Sequence, residues 1–173
     1  MLERTLSLFK TPAKEYSGDY QGHLMDQYRL YVEMSDRISA RRALSNTFFL
    51  AANTFLLSII SVLSKFALQE SLFSTFISIL VLAGPIAFCL AWRGLLSSYQ
   101  RLNAAKFEVI SEMEHRLPAS PFDYEWSKLG RGEDREKYRP LTTVEKTVPL
   151  IFVAMYFVLA LVLLLATQGI VRT

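Results

Sequence analysis

The sequence predicts an all-α membrane protein. We expect an amphipathic N-terminal cytoplasmic helix, a hairpin of two membrane spans, a long cytoplasmic helix and a third transmembrane helix. Of the 173 residues, 51% are hydrophobic, and this excess is concentrated in blocks. Three blocks reach the length of about 20 apolar residues that a bilayer-spanning helix needs. The polar stretches between them share the basic residues unequally, which indicates an orientation.

The ends of these blocks divide the chain into five segments. We expect an N-terminal cytoplasmic segment with its helix over 1–42, a transmembrane hairpin over 43–92, a cytoplasmic helix and loop over 93–147, a third span over 148–167 and a short outer tail over 168–173. The link between the first two spans, KFALQES, is short enough to make them antiparallel.

The basic residues predict which ends lie in the cytoplasm. All but Lys65 and Arg172 of the 19 Lys and Arg residues lie before the first span or between the second and third. Because cytoplasmic loops are enriched in Lys and Arg, we expect a multi-pass protein of the bacterial inner membrane with its N-terminus in the cytoplasm and its C-terminus outside. The net charge of +3 is too small to indicate direct nucleic-acid binding, whereas basic loops suit a lipid surface.

The first helix is amphipathic. Apolar and aromatic residues recur at three- and four-residue steps at Leu24, Tyr28, Tyr31, Met34 and Ile38. The opposite side is acidic, which favours packing on other cytoplasmic helices over a position on anionic lipid. No Gly or Pro intervenes near Arg42, so the helix can continue unbroken into the first span.

The first span carries its polar residues on one side, within an arc of about 140° at 100° per residue. The members of this face are Asn46, Thr47, Asn53, Thr54, Ser58, Ser61, Ser64 and Lys65. One interpretation is helix–helix packing, because polar side chains hydrogen-bond between spans. The other is the lining of a water-filled pore in a homo-oligomer, with Leu50 and Leu57 as constrictions.

The second span contains Gly84–Pro85 in its middle. Proline removes a backbone donor and clashes with the preceding turn, so we expect a kink at Pro85, more as a static packing feature than as a gating hinge. Small hydroxyl residues near the outer end of this span begin at Ser71.

The cytoplasmic helix that follows should end at Leu117, because the residue before a proline disfavours helical geometry. Three polar residues interrupt its apolar side, Asn103, Lys106 and Glu114. Because buried charges need partners, we expect these residues to form a network between helices, either within one chain or between subunits. After Pro118 we expect an extended or turning segment whose aromatic residues, ending at Trp126, fold back on the helices. The candidates for cytoplasmic assembly are Asn103, Lys106, Glu114 and Trp126.

The last part of the chain begins with a charged, glycine-containing stretch over 130–140, which is typical of a solvated loop. Thr142 to Glu145 fits a capping box that opens the last helix. Pro149 should then bend this helix at the membrane surface. The third span lacks a polar stripe, so we expect it to face lipid or to seal a bundle from outside.

Catalysis is poorly supported, and we expect neither an enzyme nor a cofactor. Glu112 and His115 have the helical spacing of a di-iron ligand pair, but such sites need a second copy and further glutamates. No phosphate loop or hydrolase motif is present. The single cysteine, Cys89, provides neither a disulfide nor a thiolate metal site.

The layout resembles a known family. The helix YRLYVEMSDRISARRALSNTFF leads into a two-span hairpin, and the helix WRGLLSSYQRLNAAKFEVISEMEHRLP follows it. Over about residues 24–126 this resembles the SLATT superfamily, the SMODS- and SLOG-associating two-transmembrane effector domains of bacterial defence. The resemblance implies a membrane effector that oligomerises and perforates the inner membrane when a partner senses infection. The third span departs from the two-span pattern.

Three hypotheses for function follow. The first is a homo-oligomeric inner-membrane effector, pore-forming or membrane-disrupting in anti-phage defence, which receives its signal from a soluble sensor or enzyme on the cytoplasmic side. The second is a non-conducting membrane anchor or scaffold that recruits or regulates a soluble partner. The third, less favoured, is an accessory subunit of a larger membrane complex.

Overall fold

The computed structural model of the protein describes the backbone of residues 7–63, 72–134, 136–138 and 140–167, and their side chains except at 63, 72–82, 164 and 166–167. This part of the chain is helical and contains no strand. The helices are α1 (Tyr20–Leu63), α2 (Leu72–Glu114), α3 (Pro121–Lys128), a 3-10 turn (Gly130–Gly132), α4 (Leu141–Glu145) and α5 (Val148–Thr167). The predicted link between the first two spans lies outside the described residues.

The two long helices run without a break past the predicted membrane boundaries. α1 passes through Arg42 as one helix of 44 residues, and α2 passes through Pro85 as one helix of 43 residues. Pro85 is buried, and the kink expected there remains a prediction.

Within the described residues, two helical stretches are long and apolar enough to cross a membrane, Tyr20–Val62 and Leu141–Leu163. Only 11% and 17% of their most apolar windows are buried, whereas the core helix of a water-soluble protein is mostly buried. Lipid is the solvent that suits such exposed apolar helices. The second predicted span lies mostly in residues whose side chains are outside the described part, so it stays a prediction.

The chain divides into two compact units. The amphipathic unit comprises Met1–Ala40 and Tyr99–Arg139, and the apolar unit comprises Arg41–Ser98 and Pro140–Thr173. The core of the apolar unit consists of Ile60, Cys89, Trp92, Leu96, Phe152 and Tyr156. Among the described residues of the amphipathic unit, the buried apolar side chains are Leu24, Ile110 and Met113.

The core face of α1 in the amphipathic unit differs from the predicted stripe at one position. Met34 is 39% exposed, whereas the neighbouring Ser35 is buried and donates its hydroxyl to Asn103 Oδ1 at 3.1 Å. A polar contact therefore replaces the apolar one that periodicity predicts.

The end of α2 was predicted three residues too late. α2 ends at Glu114 rather than Leu117, and the Leu117 amide turns back to the Glu114 carbonyl at 2.9 Å. The cause is Pro118, because a proline cannot donate to the carbonyl four residues earlier and its ring clashes with it.

The aromatic segment after Pro118 is also different from the prediction, because most of it is the helix α3 and not an extended stretch. Pro121 occupies the first turn of α3, where its missing N–H costs nothing. Phe122 packs edge-on against Phe107 of α2. Tyr124 is 64% exposed, so this ring does not fold back on the long helices.

The predicted capping box is wrong. Thr142 lies inside the short helix α4, buried, and Pro140 precedes that helix without a side-chain cap. Glu145 pairs with Arg42 and does not cap the helix. α5 begins separately at Val148, which places Pro149 in its first turn, where proline starts a helix without bending it.

Candidate functional site

The amide of Asn53 joins all three long helices of the apolar unit. Asn53 is fully buried. Its Nδ2 donates to the Phe49 carbonyl at 2.9 Å, and its Oδ1 accepts from the Cys89 thiol at 3.0 Å and from the Tyr156 hydroxyl at 3.2 Å. The Tyr156 hydroxyl also lies 3.1 Å from the backbone carbonyl of Asn53. Asn53 therefore takes part in helix packing, because its polar atoms are satisfied inside the unit.

Asn46, seven residues earlier on α1, has the same orientation. Its Oδ1 accepts the indole N–H of Trp92 at 2.9 Å. Trp92 is 2% exposed and stacks on Phe49 with ring centroids 5.5 Å apart and an interplanar angle of 7°. A buried indole N–H needs an acceptor, and Asn46 provides it.

The remaining described members of the predicted polar face are exposed. Each donates its hydroxyl to the backbone carbonyl four residues earlier, at 2.7 to 3.1 Å. They lie within an arc of about 60° at 100° per residue. We call Thr47, Thr54, Ser58 and Ser61 the hydroxyl stripe.

The predicted face is thus two surfaces. The asparagines face the core of the apolar unit, and the hydroxyl stripe lies beside them on the outside. Leu50, 48% exposed, lies about 20° beyond the edge of the stripe at 100° per residue, whereas Leu57 packs against the core. Ser64 and Lys65 lie outside the described residues.

An ion pair that the sequence did not indicate lies beside the start of the hydroxyl stripe. Arg42 Nε is 3.4 Å from Glu145 Oε2, and the two side chains are only 15% and 25% exposed. A shallow groove of about 160 Å³ adjoins Glu145 and is lined also by Asn46, Thr47, Leu50, Trp92 and Val148. No local pattern could reveal this pair, because its members are 103 residues apart in the chain.

The carboxylate of Glu114 organises the amphipathic unit. Glu114 is fully buried. Its Oε1 accepts the Tyr28 hydroxyl at 2.9 Å and the Phe122 amide at 3.1 Å, and its Oε2 accepts the Asp123 amide at 3.2 Å. The last residue of α2 thereby caps the N-terminus of α3, where helix amides lack intrahelical partners. Burial and the neighbouring Glu114 carboxylate raise the pKa of Tyr28 to about 12.

Asn103 and Lys106 contact α1 of the same chain. Asn103 accepts from Ser35, as described above. Lys106 is 9% exposed, and its Nζ lies 4.7 Å from the centroid of the Tyr31 ring. Trp126, 41% exposed, meets Tyr138 edge-on and takes no part in these contacts. The predicted polar network is therefore three separate contacts between α1 and α2, at Tyr28, Tyr31 and Ser35.

Among the described residues, no group of three or more His, Cys, Asp or Glu side chains is arranged to hold a metal ion. Glu112 and His115 are both exposed.

These contacts and the exposed apolar helices define the class of protein: a helical membrane protein whose long helices are held together by buried polar contacts. Comparison with protein families takes the assignment one step further. The profile of the Octameric membrane protein family (8xMP) matches residues 25–165. The chain belongs to this family, and it is a self-associating membrane protein. No curated protein and no solved structure matches the chain.

Proposed function

We propose that eight copies of this chain form a ring in the membrane and that the hydroxyl stripe of α1 lines a conducting path along its axis. The observation that carries the proposal is the exposure of Thr54, Ser58 and Ser61 within the apolar C-terminal part of α1. Family membership supports the number of copies.

A ring of eight helices encloses an opening wide enough for a conducting path. Eight helices of about 10 Å diameter in contact around a circle enclose an opening of about 16 Å. Such an opening must be filled by water, lipid or protein. The hydroxyl stripe is the side of α1 best suited to water, since the neighbouring exposed side carries Leu44, Phe48 and Phe55.

The hydrogen bonds of the stripe suit a path that is filled with water in one state and empty of water in another. Each hydroxyl has an acceptor in its own helix, so it remains satisfied without water. Each hydroxyl oxygen also keeps accepting capacity for water. Leu50, exposed beside the stripe, would form an apolar ring that excludes water when the path narrows.

The biological role that we propose is that of a defence effector in the bacterial inner membrane, with the N-terminus in the cytoplasm and a soluble sensor as partner. The resemblance to the SLATT superfamily and the distribution of basic residues support this role. The amphipathic unit would receive the signal, because its charged helices are unsuited to the lipid interior.

A second candidate is the non-conducting scaffold. The exposed rings of Tyr124 and Trp126 on α3 favour it, because exposed aromatic side chains are typical of protein contacts. This candidate predicts a soluble partner that co-purifies through α3 and no conductance from the assembled ring.

Leakage of dye from liposomes containing the purified oligomer tests the pore. We expect Thr54→Leu and Ser58→Leu to reduce leakage about tenfold or more, because an apolar lining excludes water and ions. Phe55→Leu is the matched control, since Phe55 is 65% exposed on the neighbouring apolar side of the same helix. Equal leakage from all variants would remove the stripe from the path, and no leakage from the wild-type oligomer would favour the scaffold.

A further inference from the structure

Lys106 is a buried cation with no ion-pair partner in the described part of the chain. Its side chain is nine-tenths buried, and its ammonium group lies over the ring of Tyr31. In the described part of the chain, no Asp or Glu oxygen lies within ion-pair distance of it. A buried charge is costly unless a counter-charge satisfies it, and a tyrosine ring is a weak substitute for a carboxylate.

The neighbouring polar residues do not need an outside partner. Glu114 accepts three hydrogen bonds and Asn103 accepts one, all from the same chain. Of these three polar residues, Lys106 alone has neither a hydrogen bond nor an ion pair among the described residues.

The surface beside Lys106 is apolar and uncovered. α1 and α2 run antiparallel here, because Tyr28 and Ser35 meet Glu114 and Asn103 in reverse order. At 100° per residue, Leu30 and Met34 of α1 and Leu102 of α2 fall on one flank of the Tyr31–Lys106 contact. We call Leu30, Met34, Leu102 and Lys106 the Lys106 face. Its three apolar members are 54%, 39% and 48% exposed, respectively.

The opposite flank of the same helix pair is covered. α3 packs there through Phe122 against Phe107, and the Glu114 carboxylate holds its first turn. The Lys106 face has no equivalent cover within the described part of the amphipathic unit.

We propose that the Lys106 face is a contact between copies of this chain and that a carboxylate of the neighbouring copy pairs with Lys106. The chain belongs to a family of membrane octamers, so a second copy is the partner that is always present. Charge complementarity selects an acidic group, and the chain has 16 Asp and Glu residues to offer. Anionic lipid fits the surface less well, because Lys106 is the one basic member of the Lys106 face, and a single basic residue contributes only about 1 kcal/mol at an anionic membrane surface.

The inference rests on the proposed ring but is tested separately from its conductance. Light scattering in detergent measures the mass of the purified oligomer without any pore. We expect Lys106→Glu to shift the oligomer to smaller species and Lys106→Met to do so to a lesser extent, because reversal adds repulsion whereas neutralisation removes only the pair. Lys128→Glu is the control: Lys128 also lies over a tyrosine ring, that of Tyr124 at 5.0 Å, but is exposed.

Two further variants keep the test decisive if Lys106→Glu fails to fold. Met34→Glu and Leu102→Glu change exposed side chains of the Lys106 face and should leave the protomer helical while dissociating the oligomer. An undiminished octamer in both variants overturns the proposal. So does an undiminished octamer that loses its binding to anionic liposomes, because the Lys106 face would then contact lipid. The stripe variants should lose leakage with an intact octamer, whereas the variants of the Lys106 face should lose the octamer, which separates the two proposals.

Discussion

Removal of the Glu114 carboxylate should release α3 from the end of α2. In Glu114→Ala the amides of Phe122 and Asp123 and the hydroxyl of Tyr28 all lose their acceptor. A hydrogen bond to a charged group contributes about 1.5–3 kcal/mol, and a buried donor left without its acceptor costs about 1–3 kcal/mol. Loss of all three bonds should destabilise the packing of α3 against the end of α2 by about 3 kcal/mol, because the bonds act as a unit and their energies are not additive.

Amide hydrogen exchange measures this cost locally. About 3 kcal/mol corresponds to about 100-fold faster exchange at Phe122 and Asp123, since each 1.4 kcal/mol is tenfold. Glu114→Gln retains one acceptor oxygen and should give a smaller increase, of about tenfold. Glu112→Ala, an exposed change on the same helix, should leave both amides protected. Unchanged exchange in Glu114→Ala would refute the assignment of Glu114 as the cap of α3.

Two further predictions concern buried polar contacts. The pKa of Tyr28 should be about 12. It is measured as the difference in tyrosinate absorbance between wild type and Tyr28→Phe during an alkaline titration. Glu114→Gln should lower this pKa, yet keep it above 10.0 because burial remains. Because the pKa of Tyr28 in the folded protein exceeds the unfolded value of about 10, the stability that this contact contributes is complete below pH 10 and is lost as the pH rises towards 12. A Tyr28 pKa of about 10 in the folded protein would contradict the contact. Asn53→Leu should lower the thermal stability of the protomer in detergent by about 1–2 kcal/mol, because the Tyr156 hydroxyl loses the side-chain acceptor. Thr54→Ala should not lower it, and equal melting of both variants would argue against a structural role for Asn53.

The polar face of α1 illustrates what the sequence can predict. A helical wheel correctly groups Asn53 with Thr54 and Ser58 on one side of the span, because the wheel depends only on the helical period. It cannot place α2 and α5 around that side. Asn53 is buried because its amide oxygen contacts Cys89 of α2 and Tyr156 of α5, whereas the neighbouring hydroxyls are exposed. Cys89 and Tyr156 are both far from Asn53 in the sequence.

Glu114 illustrates the same limit in the amphipathic unit. Its position on an apolar side indicated that it needs a partner. The partners are Tyr28, 86 residues earlier, and two backbone amides of a helix that was predicted to be extended. Local rules also misplaced Thr142 as a cap, because the Glu145 required by the capping box pairs with Arg42 from α1. In each case a long-range contact overrode a local preference.

Accessibility of the hydroxyl stripe to water tests the central claim most directly. Cys89 is fully buried, so the native chain gives an unreactive background for a thiol introduced by Ser58→Cys. In a planar bilayer, a membrane-impermeant thiol reagent should modify Ser58→Cys and reduce its conductance, while Phe55→Cys should keep its conductance. A Ser58→Cys oligomer that does not react, or that reacts without any change in conductance, would contradict a conducting path lined by α1.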